Sequence, residues 1–333
     1  MGNVFGNSLN NELNYTYSNH EEDDEFFEIS INDSINNKSL QENKEEESVA
    51  CILARIDREC NLLIHKWKAE QIFLKSRMSF LEDTQFMQKV KLVGGVDISF
   101  STDKNDLIHA VVCLVVLSYP DLQVQFQRCE IVHLTSLYVP GFLAFREVDH
   151  IQKLCIELFE EQHELYPDVI LVDGNGILHH TKFGLASHLG VVLNLPTIGV
   201  AKKLFHVDGL EKNEKLKKLF QNNLLQKGDT HDLIGSSNFL YGKALRSTDH
   251  SSNPIFVSVG NKISLDSAVR LVNNCCQYRV PEPVRLADQY SRSFIQLNYD
   301  EHVKECSDSY AALNSRFKNL STKVESIKAE NVN

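Results

Sequence analysis

The eight cysteines include no CxxC pair and no Cys/His spacing of the zinc-ligating kind, which argues against a structural zinc site. Cys275 and Cys276 are vicinal, and the rest are scattered, mostly in apolar stretches. That is the pattern of a reduced intracellular protein with buried thiols and no structural disulfide. No apolar run reaches the roughly 18 residues that a membrane span requires. The longest, 109–120, reads as a core strand. No basic-then-apolar leader opens the chain, and Met1-Gly2 is followed at position 6 by Gly6 rather than the Ser or Thr of a myristoylation signal. Internal repeats are absent. So is any basic excess: the formal charge is −11. That charge is local. Residues 1–50 hold 12 Asp/Glu against 2 Lys, and the remainder is almost balanced, with 33 acids against 32 Lys/Arg. Bulk charge therefore neither advertises nor excludes a nucleic-acid partner.

What is present falls into three parts. Residues 1–50 are rich in Asn, Ser and Glu with like-charge runs, the composition of a disordered acidic tail. Residues 51–298 carry the periodic patterns of one folded domain, and 299–333 turn polar again, as a second disordered tail. Within the domain, Ile56, Leu63, Trp67 and Ile72 recur at helical spacing, giving an amphipathic helix over 52–77. Strands are expected at 93–100, 109–120 and 122–134, an antiparallel meander. Helical patterns over 148–165 and 183–189 then alternate with apolar strands at 169–172 and 197–200, which makes the sheet mixed. A charged helical excursion over 208–227, further strands within 233–247 and 254–260, and helices over 264–278 and 284–295 complete the domain.

Two acids stand out. Asp97 interrupts an apolar strand, where an unpaired charge is costly unless it faces a metal or cation. Asp173 leaves the run Val169, Ile170, Leu171, Val172 and enters the turn Asp173-Gly174-Asn175-Gly176, and ligands of open α/β sheets sit at the carboxyl ends of such strands. Glu147 near a helix start and Asp288 in the last helix are further candidates. Three or four carboxylates converging from separate elements suit hard divalent cations that assist phosphodiester hydrolysis. On spacing alone, each of these two helix acids reads more readily as a surface charge or helix-cap partner.

The blocks GGVDISF (94–100), YVPGFLAFRE (138–147), LVDGNG (171–176), HLGVVLNLPTIGVAKKL (188–204) and RVPEPVRLAD (279–288) resemble the endonuclease V family in content and order. The resemblance covers roughly residues 60–295. It implies an α/β, RNase H-like mixed sheet flanked by helices, and Mg²⁺-dependent cleavage (Mn²⁺ substituting) at the second phosphodiester 3′ to an inosine, leaving 3′-hydroxyl and 5′-phosphate ends. It also implies that Asp97, Glu147, Asp173 and Asp288 are the metal-binding acids and that Lys202 lies near the scissile phosphate. The resemblance further implies that Leu137, Tyr138, Val139 and Pro140 form a wedge that fills the gap left by an extruded base, and that Leu143, Gly174, Gly176, His179 and Leu185 line the base pocket. Most relatives begin the wedge with Pro, so Leu137 is a departure and Tyr138 the main stacking residue. Lys203 and His188 are expected to contact phosphate or substrate.

The implied partner is inosine-bearing single-stranded RNA, with DNA also possible, bound by a monomer with no membrane association, in the cytoplasm or alternatively the nucleolus or nucleus. Competing readings are a repair enzyme acting mainly on deoxyinosine in DNA, an inosine-binding module without catalysis, and a nuclease of the same fold with another target.

Overall fold

The computed structural model describes residues 49–80, 85–101, 106, 108–134, 136, 139 and 141–305. The expected acidic tail and the last 28 residues lie outside them, as do Leu137, Tyr138 and Pro140 of the expected wedge. Eight strands form one sheet: β1 (Leu92–Phe100), β2 (His109–Ser118), β3 (Val124–His133), β4 (Val169–Asp173), β5 (Thr197–Ala201), β6 (Thr230–Ile234), β7 (Leu240–Leu245) and β8 (Ile255–Asn261). Their order across the sheet is β3-β2-β1-β4-β5-β8-β7-β6. Strands β1, β2 and β3 pair antiparallel, as the short links between them require, whereas β1–β4 and β4–β5 are parallel. This meander followed by two parallel strands is the RNase H-like mixed sheet anticipated from the sequence. The second meander, β8-β7-β6, continues it antiparallel from β5.

The helices are α1 (Val49–Ser76), α2 (Phe86–Lys89), α3 (Ala144–Glu161), α4 (Leu185–Val192), α5 (Glu214–Asn223), α6 (Leu265–Asn274) and α7 (Glu282–Glu305). Three boundaries depart from the sequence expectation for identifiable reasons. Helix α3 starts four residues earlier than expected, directly after the turn closed by the Phe142 N–H donating to the Val139 carbonyl. Helix α5 is shorter than 208–227, because Val207 and Leu210 form a β-bridge around Asp208 and Gly209, both at positive φ, and Asn213 then caps the helix through Leu216 N–H. Helix α7 outruns the expected 284–295 at both ends.

Strands β2, β4, β5 and β8 are buried almost throughout, their side chains alternating between cores on the two faces of the sheet. Val96, Ala110, Val112, Leu114, Ile170 and Val172 face α3 and α4. On the other face, Val93, Val169, Leu171, Ile198, Val200 and Val257 pack toward α6 and Val284, while Cys113, Val115 and Leu117 meet Ala287 of α7. Cys113, Cys129, Cys155, Cys275 and Cys276 are free thiols, and Cys113 and Cys129 are cross-strand partners with their sulfurs 2.8 Å apart. No helix among the described residues is long and apolar enough to cross a membrane.

Helix α7 is laid along β1. A Cβ at Gly95 would fall below 3.0 Å from the Pro283 carbonyl, so only glycine admits the helix backbone there. Further along, Ser99 and Ser291 hydroxyls bond at 2.8 Å. Four strand residues rise about 13 Å and eight helical residues about 12 Å. The two contacts are therefore in step, and Asp288, midway along the helix, is carried to Asp97, midway along the strand.

Candidate active site

Alternation places Gly95, Asp97 and Ser99 on the α7 face of β1, and Val169, Leu171 and Asp173 on the same face of β4. The β1–β4 register pairs Val96 with Val172, so Asp97, midway along β1, and Asp173, at the end of the parallel strand β4, are neighbours. Asp288 descends on them from α7. Carboxylate oxygens of Asp97, Asp173 and Asp288 all lie within 4.8 Å of one another. Glu147, in the first turn of α3 and 5% exposed, lies outside this three-acid group but close enough for Asp97 and Asp173 to act on its charge.

The acids are electrostatically strained without a cation. Burial first, then the charges of Asp173 and Asp288, push Asp97 up to about 7. Burial first, then Asp97, pushes Glu147 up to about 8. No hydrogen bond or ion pair holds the Glu147 carboxylate among the described residues. Three carboxylates within 4.8 Å of one another, with Glu147 near enough to feel their charge, suit a hard divalent cation.

One cation of the chain already enters the group. Lys202 Nζ lies 2.6 Å from Asp173 Oδ2 and 3.5 Å from Asp288 Oδ2. Burial works against its charge, but the pull of Asp173 and Asp288 prevails and raises its pKa. Two arginines that sequence reasoning did not single out complete the frame. Arg279 donates to the backbone carbonyls of Lys202 (2.7 Å), Pro254 (3.0 Å) and Asn253 (3.0 Å), pinning the strand end that carries Lys202. Arg292 donates from Nε to Asp288 Oδ1 at 2.7 Å, an i, i+4 pair legible in the helix register once Asp288 is known to matter. Ser291, fully buried, ties the Asp288 carbonyl (3.1 Å), Ser99 (2.8 Å) and Asp97 Oδ2 (3.4 Å) together.

Beside the acids, the glycine-bearing turn is fastened by backbone: Gly176 N–H donates to Ser258 Oγ, Ile177 N–H to the Val259 carbonyl and Gly184 N–H to the Gly176 carbonyl. A Cβ at Gly176 would collide with the Val259 carbonyl, whereas one at Gly174 would meet Leu185 at an ordinary 3.7 Å. Gly174 and Leu185 are thus neighbours, Leu185 shares an apolar cluster with Ala144 of α3, and Leu143 is 38% exposed beside that helix start. His179 is buried, stacked on Phe205 with centroids 5.1 Å apart, with Nδ1 2.9 Å from Thr181 Oγ1. Burial, then His180, lowers its pKa to about 4, so it is neutral at pH 7.

His188 is placed differently from the expectation of a phosphate contact. It is 3% exposed between Phe145 (4.8 Å) and Phe183 (5.5 Å), with a buried, unpartnered Nδ1 and a pKa lowered by burial to about 4. Its surroundings are those of a neutral packing residue. Lys203 is exposed, and Val139, the one described wedge residue, is half-buried.

The raised acids fix a pH dependence. Unfolded carboxyls titrate near 4, so between that value and about 7 to 8 the folded chain holds protons that the unfolded chain has lost. Their contribution to stability is complete at low pH and disappears as pH rises through 7 to 8. Metal-free protein should therefore melt at lower temperature at pH 8.5 than at pH 6, and a divalent cation should raise the melting temperature more at pH 8.5. Calorimetric melting at both pH values, with and without Mg²⁺, checks this. Equal metal effects at the two pH values would contradict it.

A family model for endonuclease V matches residues 74–289. Endonuclease V of Mus musculus is 51% identical over 237 residues, 69% of each chain. That of Homo sapiens is 48% identical over 237 residues, 69% of this chain and 82% of the human one. The crystal structure of the human protein aligns with TM-score 0.68 at 45% identity, covering 71% of this chain and 99% of that one. The structure of Ciona intestinalis endonuclease V, in complex with a 24-mer DNA containing an inosine followed by a ribo-adenosine, aligns with TM-score 0.65 at 37% identity, covering 70% and 98%. The chain belongs to the endonuclease V family, whose members are nucleases that hydrolyse phosphodiester bonds.

Proposed function

We propose that the chain is a Mg²⁺-dependent endonuclease, with Mn²⁺ able to substitute, that recognises inosine in single-stranded RNA and hydrolyses the second phosphodiester on its 3′ side. The observation carrying this reading is the convergence of Asp97, Asp173, Asp288 and Lys202 beside the contact between Gly174 and Leu185, two of the expected base-pocket residues. Asp97, Asp173 and Asp288, with Glu147, hold the metal. When bound, a hard divalent cation supplies Lewis-acid stabilisation of charge building on the phosphodiester. Lys202 adds a fixed ammonium toward the same phosphate, and Lys203, exposed beside it, meets a neighbouring one.

The base is extruded by the wedge Leu137, Tyr138, Val139 and Pro140, and enters between Leu143, Leu185 and the backbone of Gly174 and Gly176. Thr181 engages His179 Nδ1 through its Oγ1 (2.9 Å) and its N–H (3.4 Å), which leaves Nε2 as the ring nitrogen to meet the purine edge of hypoxanthine. The ligand of the Ciona relative has a ribose directly after the inosine. A 2′-hydroxyl at that position is the feature by which RNA would be preferred over DNA.

The test uses four strands of one sequence: inosine RNA, inosine DNA, inosine DNA followed by one ribonucleotide, and adenosine RNA. One cut beyond the inosine's own 3′ linkage, fastest in RNA, restored by the single ribonucleotide and absent from the adenosine strand, is expected. Equal or faster cleavage of plain DNA would sink the RNA preference. Inosine-dependent binding with no cut under any metal would leave a binding module.

A further inference from the structure

The matched family model begins at residue 74, so nearly all of α1 lies ahead of it. Three side chains of that helix at positions 67, 71 and 75, one face at i, i+4 and i+8, nevertheless reach the elements that carry the proposed base pocket. Trp67, the single tryptophan of the chain, is 6% exposed and stacks on Phe142 (centroids 5.8 Å apart, planes at 30°) and on Phe145 (5.5 Å, 17°). Gln71 Nε2 donates to the Phe183 carbonyl at 3.3 Å, and Lys75 Nζ to the Thr181 carbonyl at 2.5 Å.

These partners belong to opposite sides of the pocket. Phe142 closes the turn from Val139 and directly precedes Leu143, and Phe145 follows in the first turn of α3. Thr181 and Phe183 lie between His179 and Leu185, in a stretch with no helix or strand of its own. Such a stretch lacks ladder hydrogen bonds, so its position depends on outside contacts. The aromatic series continues inward from Phe145 to His188 (4.8 Å) and Phe183 (5.5 Å). Trp67 and Gln71 thus join the two sides, one through stacked rings and the other through a backbone carbonyl.

We propose that α1 is a positioning element for base recognition, with Trp67 as the residue that holds the wedge turn at a fixed distance from the segment bearing His179 and Leu185. The proposal rests on the inosine reading of the pocket. It makes selectivity for the extruded base depend on a helix that carries none of the site acids and none of the expected pocket residues. Trp67, the single tryptophan, is also an optical reporter of the turn. A helix that only stabilised the fold would not carry that selectivity.

The test titrates the full chain carrying Asp173→Asn, to stop cleavage, with end-labelled inosine RNA and adenosine RNA, following label anisotropy and tryptophan emission together. Expected is an emission change that saturates with inosine binding and does not occur with the adenosine strand. Inosine-selective anisotropy with unchanged emission overturns the proposal while the functional reading stands. Equal anisotropy for both strands overturns that reading, and the proposal with it.

Steady-state kinetics supply the second arm. Trp67→Phe, which keeps a stacking ring, should stay within about threefold of the native kcat/KM, whereas Trp67→Ala should lose about 30-fold or more, chiefly in KM, given that a displacement of about 1 Å costs on the order of 10²-fold. Loss in kcat alone, or failure of Phe to rescue a folded Ala variant's defect, overturns the positioning role. If Trp67→Ala does not fold, the titration on the native tryptophan still decides.

Discussion

Asp173→Asn should abolish hydrolysis, by at least about 10³-fold, or about 4 kcal/mol of barrier, while leaving the fold intact. Like Asp97, Asp173 bears on the other acids, and it alone holds Lys202 at hydrogen-bond distance. Its Oδ2 receives Lys202 at 2.6 Å, its charge is the largest electrostatic contribution raising Asp97, and it acts on Glu147 as well. Replacing its carboxylate by an amide removes a metal ligand and weakens the tether on Lys202 without changing side-chain volume. The same change relieves repulsion on Asp97, which should titrate lower than about 7 in the variant. Melting temperature in the absence of metal should therefore hold within a few degrees, and the rise on adding Mg²⁺ should vanish. Cleavage of inosine RNA, paired with melting curves with and without Mg²⁺, measures all of this. A variant that melts far lower without metal would place Asp173 in the fold rather than in the chemistry.

Gly95→Ala should be nearly as damaging by another route. The added Cβ meets the carbonyl and Cα of Pro283, backbone atoms that no rotamer change can move aside. Helix α7 must shift by on the order of 1 Å, and overpacking of this kind costs about 1–3 kcal/mol or somewhat more, which lowers the melting temperature by roughly 3–12 °C for a domain of this size. Because α7 carries Asp288, Ser291 and Arg292, the shift also opens the acid group, and activity should fall by about 10²-fold. Gly174→Ala is the contrast: its Cβ meets Leu185 at 3.7 Å, so stability should be preserved while inosine binding weakens as the recess narrows. Melting curves and cleavage rates for the two variants, side by side, separate the effects. Equal stability losses would mean that the close approach at Gly95 is not what seats α7.

Asp97 and Asp173 were conspicuous because each interrupts a run of residues that the sheet buries, and a lone charge there demands a partner. Glu147 and Asp288 were not, since an acid on a helix has the same local pattern whether it faces water or a metal; only the resemblance of the flanking blocks raised them. Arg279, Arg292 and Ser291 were missed for a related reason. Their partners are carbonyls and side chains 25 to 194 residues away, or one helical turn on from a residue whose role was not yet fixed. The buried setting of His188 was likewise invisible, because its neighbours Phe145 and Phe183 come from two elements that meet only in the folded chain.

By itself the sequence determined the meander followed by parallel strands, the two strand acids Asp97 and Asp173 and the family, because alternation, apolar runs and ordered motif blocks are properties of neighbouring residues. Only the tertiary structure decided how the acids meet, which strands extend the sheet beyond β5, and that Trp67, Gln71 and Lys75 of α1 reach Phe142, Phe145, Phe183 and Thr181. Those outcomes depend on register and close approach between distant segments: Val96 beside Val172, Pro283 over Gly95, Trp67 against Phe142. No local pattern encodes such distances; they arise when the chain packs.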